Sequence, residues 1–156
     1  MSSAPDDITI RRMTALDVDP VMAIAQSLAQ APHWPAYAYL TAVDPEAQPP
    51  RIALIAERAT AVVGFTIASL IPPQAELESI AVAQFAQQIG VGRKLFMALS
   101  AELKMSDVTE VMLEVRSSNQ PARTFYKQLG FVEIGRRALY YADPIEDALQ
   151  MRLSLI

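Results

Sequence analysis

At 156 residues, with 52% hydrophobic and 19% charged residues, the chain is the size of one domain, spanning 1–156, that buries about two-thirds of its unfolded surface. It has no cysteine and one histidine, His33, which excludes disulfides, a cysteine nucleophile, a thiolate metal centre and a multi-histidine metal site. A formal charge of −4 speaks against a generic nucleic-acid binder, which carries a basic stripe, and agrees better with a basic partner.

No stretch approaches the roughly 18 uninterrupted apolar residues of a membrane span. The acidic start, MSSAPDD, is unlike a signal peptide, so a cytoplasmic location is expected. In chain order, Asp7 to Met13 (DITIRRM) alternates as a first strand. Thr14 or Asp17 then caps a helix over Val18 to Leu28, with Pro20 tolerated in its first turn and Val21, Ile24, Ala25 and Leu28 at helical spacing. Pro32-His33-Trp34-Pro35 breaks it, and PAYAYLTAV makes a second, short helix. The three prolines of Asp44 to Pro50 mark a surface loop.

RIALIAE and AVVGFTIASL, joined near Arg58 to Thr60, read as consecutive antiparallel strands that Pro72-Pro73 ends. Next come a strand (AELESIAV), a glycine loop (QQIGVG) and a helix (RKLFMALSAELK). A second such unit is the strand VTEVMLEVR, the polar turn SSNQPA and the helix RTFYKQLGF. FVEIGRRALYY, a loop at Ala142 to Pro144, and the alternating EDALQMRLSL close the chain. The predicted order is β-α-α-β-β-β-α-β-α-β-β.

The glycine loop is the first place where chemistry shows. A strand, small residues and a helix starting near Gly92 bring unpaired backbone N–H groups and the positive end of a helix dipole to one point. Gly90 and Gly92 let the backbone approach an anion closely. A dinucleotide fingerprint needs a third glycine where Leu95 stands, and no Gly-Lys-Ser/Thr follows, so both the Rossmann and the P-loop patterns fail. What remains is Gln87-x-x-Gly90-x-Gly92 followed by Arg93 and Lys94.

Gln-x-x-Gly-x-Gly between Ile80-Ala81-Val82 and a helix resembles the acetyl-CoA loop of the GCN5-related N-acetyltransferases. The later motifs are narrower: Leu113-Glu114-Val115-Arg116-Ser117-Ser118-Asn119, then Phe125-Tyr126-Lys127-Gln128-Leu129-Gly130-Phe131. Arg136-Arg137 with Tyr140-Tyr141, and Pro144-x-Glu146-Asp147-Ala148, follow. These resemble the RimI-type branch, the ribosomal-protein-alanine N-acetyltransferases. The motifs cover about residues 75 to 152.

That resemblance implies an α/β (α+β) fold with a mixed, mostly antiparallel sheet whose two central parallel strands splay, flanked by helices. It implies acetyl-CoA as cofactor and a protein N-terminus, such as that of a ribosomal protein, as acceptor. Ile80, Ala81 and Val82 would pair with the pantetheine arm. Gln87, Gln88, Ile89, Gly90, Val91, Gly92 and Arg93 would wrap the pyrophosphate. Asn119 would bond the cofactor near its thioester, and Tyr126 would sit beside the sulfur. Two departures stand out: Gln87 replaces the arginine usual in that motif, and AQFAQQ is less polar than the family's turn.

Acyl transfer to an amine needs a base, a polarised carbonyl and an acid for the leaving thiolate. Glu114, a carboxylate in the apolar strand VMLEVR, is the candidate base; the plainer reading pairs it with Arg116. Tyr126, whose ordinary pKa is near 10, is the candidate acid; the plainer reading is packing. A backbone N–H of the Ile80–Val82 strand would polarise the carbonyl.

Alternation in AELESIAV puts Glu76 and Glu78 on one face and Leu77, Ser79 and Ala81 on the other. Some acetyltransferases of the superfamily that the chain resembles draw their base from this strand, which makes Glu78 the second candidate base; the plainer reading is a solvated strand face. The resemblance puts the loops of Trp34, Tyr37, Tyr140 and Tyr141 on the substrate side, which makes them candidates to line a peptide cleft, and either Glu76 or Glu78 is a candidate site for an ammonium group. Glu146-Asp147 begins the last strand, His33 is a loop residue, and no metal site is expected. A small amine or an internal lysine is the alternative acceptor, and a non-catalytic acetyl-CoA-binding module the alternative function.

Overall fold

The computed structural model describes residues 7–156; the polar start, residues 1–6, lies outside them. The elements are β1 (Ile8–Arg12), α1 (Val18–Ser27), α2 (Ala36–Val43), β2 (Arg51–Arg58), β3 (Ala61–Ile71), β4 (Gln74–Val82) and α3 (Val91–Met105). They continue with β5 (Glu110–Arg116), α4 (Gln120–Leu129), β6 (Val132–Tyr141) and β7 (Glu146–Ser154). This is the predicted order.

The strands form one sheet in the order β1-β2-β3-β4-β5-β7-β6, in which β4 and β5 are the parallel pair and the other pairs are antiparallel. β2 and β3 read as near-continuous apolar runs because both of their faces are covered. On one face, Leu95, Leu99 and Leu103 of α3 pack with Leu54, Val111, Leu113, Leu149 and Met151. On the other, Val21 and Ala25 of α1 and Tyr39 of α2 pack with Ile55, Phe65 and Ile67.

The N-terminal boundaries follow local chemistry. Thr14 and Asp17 form a reciprocal capping box around a short 3-10 turn (Ala15–Asp17), and α1 follows at once. α4 starts three residues before the predicted Arg123. Asn119 caps it by accepting from the Ala122 N–H, and a proline in the first turn needs no intrahelical N–H. The last two residues of the SSNQPA turn, and Gln120, therefore belong to the helix.

Two irregularities open the sheet at its centre. β4 and β5 pair only at Gln74–Glu76 with Glu110–Met112, so their C-terminal halves diverge. In β4, Ser79 pairs with Ile67 and Leu77 with Ala68, which leaves Glu78 as the extra residue of a β-bulge. The bulge corrects the simple alternation expected for AELESIAV. Ala75 and Leu77 join the α3 core, whereas Ala81 joins the α1/α2 core, and Ile80 and Val82 take over the contacts with the α3 side. Glu76 and Glu78 hence do not share one regular face with period 2.

Candidate active site

The glycine loop sits at the end of β4, beyond a 3-10 turn at Gln84–Ala86. Gln88 (φ 66°) and Gly90 (φ 89°) are left-handed, so successive N–H groups turn inward as in an anion nest. The Lys94 N–H bonds the Gly90 carbonyl as the first turn of α3 closes, which places the amides of Val91, Gly92 and Arg93 at the unpaired helix start. A Cβ at Gly90 would meet nothing within 4 Å; the position needs glycine for its conformation, and the space beside it is open. Gly92 has a different task. A Cβ there would lie 3.1 Å from the Phe125 ring of α4, so this glycine lets α3 start close against α4.

The Gln87 side chain is turned back: its Nε2 donates to the Val82 carbonyl at 3.0 Å and ties the loop to the strand. The Gln87 N–H goes to the Gln84 carbonyl. Arg93 is exposed at the loop. Ile80 and Val82 are half-buried where β4 parts from β5, and the buried Ser79 hydroxyl oxygen has no hydrogen-bond partner. The gap between the strands, the nest and a 15-residue helix pointing its N-terminus at the nest fit a phosphate group joined to a slender arm that lies between the strands.

The opposite face of the same parting carries a cavity of about 220 Å³, lined by Ser69, Glu76, Met112, Glu114, Arg137 and Gln150 among others. Val111, Leu113 and Val115 are buried toward α3, so strict alternation turns Met112 and Glu114 to this side. Glu114 Oε2 is buried without a hydrogen bond and lies 3.4 Å from Arg137 Nε. Arg116, the partner weighed from sequence, is engaged elsewhere. It binds Glu146 and the carbonyls of Pro144 and Ala142, and stacks 4.5 Å from the Tyr141 ring centre. Glu146 also accepts from Ser117 Oγ and the Ser118 N–H, bonds that hold its carboxyl below the usual range, so it does more than start a strand.

Tyr126 packs edge-on against Phe131 (5.7 Å) and tilted against Phe125 (5.6 Å). Burial, and then the charge of Tyr141, push its hydroxyl well above the ordinary tyrosine value. The Tyr141 hydroxyl is in turn raised by burial and then by the charge of Glu114. Asn119 is at the start of α4, with its side-chain oxygen committed to the cap.

The other candidates fall into a second group. Trp34, Tyr37, Arg51 and Glu78 line a shallower hollow, and Glu78 is held by Arg51 at 3.0 Å. Trp34 stacks at 5.3 Å from the buried Tyr39. Tyr140 lies on the β6–β7 hairpin under Arg137. The structure thus separates Glu78 from the Glu114 cavity and puts Glu76 there instead. Glu76 stands at the open side of the cavity. Desolvation by the strand wall, then the charges of Glu78 and Glu114, hold its carboxyl above the ordinary range.

Arg137, Gln150 and Ser69 escaped the reading by sequence. Gln150 pairs with Glu114 in register, and a Cβ at Gly135 would come within 2.7 Å of its Oε1, so Gly135 makes room for that amide. The usable signal was phase: in EDALQMRLSL, Gln150 is out of phase with the buried Leu149 and Met151. Among the described residues no group of three or more His, Cys, Asp or Glu could hold a metal, and no helix is long and apolar enough to cross a membrane.

Residues 20–131 match the acetyltransferase (GNAT) family, which is most of the chain and includes the loop, β5 and α4. The chain belongs to this family. A ribosomal protein bS18-alanine N-acetyltransferase of Escherichia coli (strain K12) is 40% identical over 93 residues, covering 58% of this chain and 63% of that protein. An N-alpha-acetyltransferase of Sulfurisphaera tokodaii is 44% identical over 78 residues, 49% of this chain and 46% of its own length. The sequence match thus spans under two thirds of these relatives. The fold match is broader: the crystal structure of the Escherichia coli ribosomal-protein-alanine enzyme superposes with a TM-score of 0.83 at 29% identity. It covers 95% of this chain and 94% of that one. The GNAT architecture, with its mixed sheet and parted central strands, is the expected one.

Proposed function

We propose that the protein is an N-acetyltransferase that uses acetyl-CoA to acetylate the N-terminal α-amine of a protein, with a ribosomal-protein N-terminus as the leading acceptor class. The observation that carries this reading is the parting of β4 and β5. It sets the anion nest and an arm-sized gap on one side, and a carboxylate-lined cavity on the other. The similarity to ribosomal-protein-alanine and N-alpha-acetyltransferases supports the choice of acceptor.

The residues that would hold the cofactor are the amides of Gln88, Ile89, Gly90, Val91, Gly92 and Arg93 around its pyrophosphate, and the free edge of Ile80–Val82 beside its arm. Gln87 fixes the loop through Val82 and so serves binding indirectly. Asn119 lies at the α4 start, with its amide nitrogen on the side chain that caps the helix. When bound, acetyl-CoA supplies an acetyl thioester whose acetyl group passes to the amine and whose sulfur leaves as a thiol.

Glu114 takes the proton from the acceptor's ammonium group, which has a pKa near 8 and is largely protonated at neutral pH. The freed amine would then form the C–N bond as the C–S bond breaks, and the second proton it loses on becoming an amide would make good, through solvent, the one given up by Tyr126. Tyr126 gives its phenolic proton to the departing sulfur, a task that suits a hydroxyl kept protonated by burial. A backbone N–H of the Ile80–Val82 edge would polarise the carbonyl. Trp34 and Tyr37 of the shallower hollow, and Tyr140 and Tyr141 at the end of β6, would flank the peptide beyond its first residue, and Glu78 stays with Arg51.

The test is mass spectrometry and free-thiol release with acetyl-CoA and three acceptors: an Ala-starting peptide, an N-blocked peptide with an internal lysine, and a polyamine. Acetylation of the free N-terminus is the expected result. Modification of the lysine peptide or the polyamine alone would move the assignment to those acceptors, and acetyl-CoA binding without thiol release would mark a non-catalytic module. Glu114→Gln and Tyr126→Phe should each lower kcat by about 10²-fold or more while acetyl-CoA affinity is kept. Full activity in both would sink these roles.

A further inference from the structure

Two carboxylates of like charge face the acceptor cavity from adjacent parallel strands. Glu76 is in register with Met112, and Glu114 follows two residues later on the same side of β5. Nothing within the strands themselves offsets that pairing. Arg51 of β2 partly offsets Glu76; at Glu114 the offsetting charge comes from the far edge of the sheet, where Arg137 of β6 reaches across to place Nε 3.4 Å from Glu114 Oε2. The contact is ionic without being a hydrogen bond, since Glu114 Oε2 is buried and has no hydrogen-bond partner. A base held in this way keeps its lone pairs for a proton while its charge is balanced.

The position of Arg137 is itself built. It lies where β6 leaves register with β7: Arg137 pairs with Ala148 and the next pair is Tyr141 with Glu146, so three residues bulge over one. Asp147 pins that bulge by accepting from the Leu139 N–H at 2.9 Å and from Arg136 at 3.0 Å. The Arg137 guanidinium rests 5.3 Å above the centre of the Tyr140 ring, which fixes its plane. Its neighbour Arg136 is committed to Asp147, and Arg116 to Glu146, so the hairpin directs Arg137 and not these two toward the cavity.

We propose that Arg137 is a positioning residue that holds Glu114 in place against the repulsion of Glu76. This rests on Glu114 being the base. Arg137 lines the same cavity, and the role assigned to it acts through Glu114. Its loss lets the Glu114 carboxylate swing from Glu76 toward solvent, and turnover falls while acceptor binding stays. The opposing effect of Glu76 predicts a specific rescue. With Arg137 neutralised, removing the Glu76 charge restores part of the lost rate, because the repulsion that displaces Glu114 is gone.

Steady-state kinetics with acetyl-CoA and an Ala-starting peptide test this on Glu114→Gln, Arg137→Gln, Arg137→Lys, Glu76→Gln and the Arg137→Gln/Glu76→Gln double variant. Arg137 has a half-exposed side chain, so the variants should fold, and a thermal melt on each checks it. The expected result for Arg137→Gln is a kcat lower by about 10- to 100-fold with KM within about twofold, the size of a misplaced catalytic group. Arg137→Lys should recover most of that loss, and adding Glu76→Gln to Arg137→Gln should recover at least about threefold, a coupling in the usual range for neighbouring groups. An unchanged kcat in Arg137→Gln, a change confined to KM, or a double variant no faster than the single one would each overturn the proposal. A fully active Glu114→Gln would instead overturn the assignment of the base, whatever Arg137 does.

Discussion

Asp17 shows how much a single side chain can settle. It is buried, accepts from Thr14 and is gripped by both outer nitrogens of Arg11 at 2.8 and 2.9 Å. Arg11 also reaches Glu57 of β2, so one cluster ties β1, the first turn and the sheet together. Its hydrogen bonds to Arg11 outweigh desolvation and hold the Asp17 carboxyl below its ordinary value. A lowered folded pKa adds stability above the unfolded value of about 3.9, and the contribution is lost as pH falls through the lower folded value. Asp17→Asn should cost about 1–3 kcal/mol in urea unfolding at pH 7, with the gap to wild type closing at strongly acid pH. A gap independent of pH would contradict the pairing. At this scale the sequence was readable where one residue broke a local pattern: Glu114 in VMLEVR did so. Arg137 did not, because two adjacent arginines in a surface strand look alike until pairing with β7 shows which of them shares the Glu114 face.

At the scale of elements, the loop from Gln87 to Gly92 works through conformation. Gly90→Ala places a Cβ on a backbone with φ of 89° and should cost about 1–2 kcal/mol of local strain. The Cβ finds no clash, so the fold should survive with its melting temperature only slightly lowered, while acetyl-CoA affinity measured by calorimetry drops as the nest relaxes. Undiminished affinity would count against the nest. Gly92 is a packing glycine: Gly92→Val would press on the Phe125 ring and should loosen α4 as much as the loop. Element existence was legible throughout from period and breakers. The bulge at Glu78 was not, since the residues of AELESIAV satisfy strict alternation equally well, and only pairing with β3 adds the extra residue.

Across the whole molecule, the sheet is the partition between two cores, and its midline is the reaction axis. Gly64 of β3 lies one strand from that midline, in register with Val82 of β4. A Cβ there would stand 3.0 Å from the Ala81 carbonyl, 3.2 Å from Leu95 and 3.3 Å from Val91. The backbone oxygen cannot yield as a side chain does, so Gly64→Ala should destabilise by about 1–3 kcal/mol and shift α3 from β4. Urea denaturation measures the first effect, and weaker acetyl-CoA binding would report the second; an unchanged midpoint would argue that the sheet yields there.

Periodicity, prolines, glycines and the QxxGxG, LEVRSSN and FYKQLGF motifs determined the elements, their order and the family, because these are local properties written in consecutive residues. Only the tertiary structure decided which charges meet. Glu76 and Glu114 are 38 positions apart and Arg137 a further 23, and they meet because β4 and β5 are parallel and β7 inserts between β5 and β6. Side-chain pairing across a sheet depends on register and bulges, which are fixed by packing on both faces at once, and no single stretch of sequence carries that information.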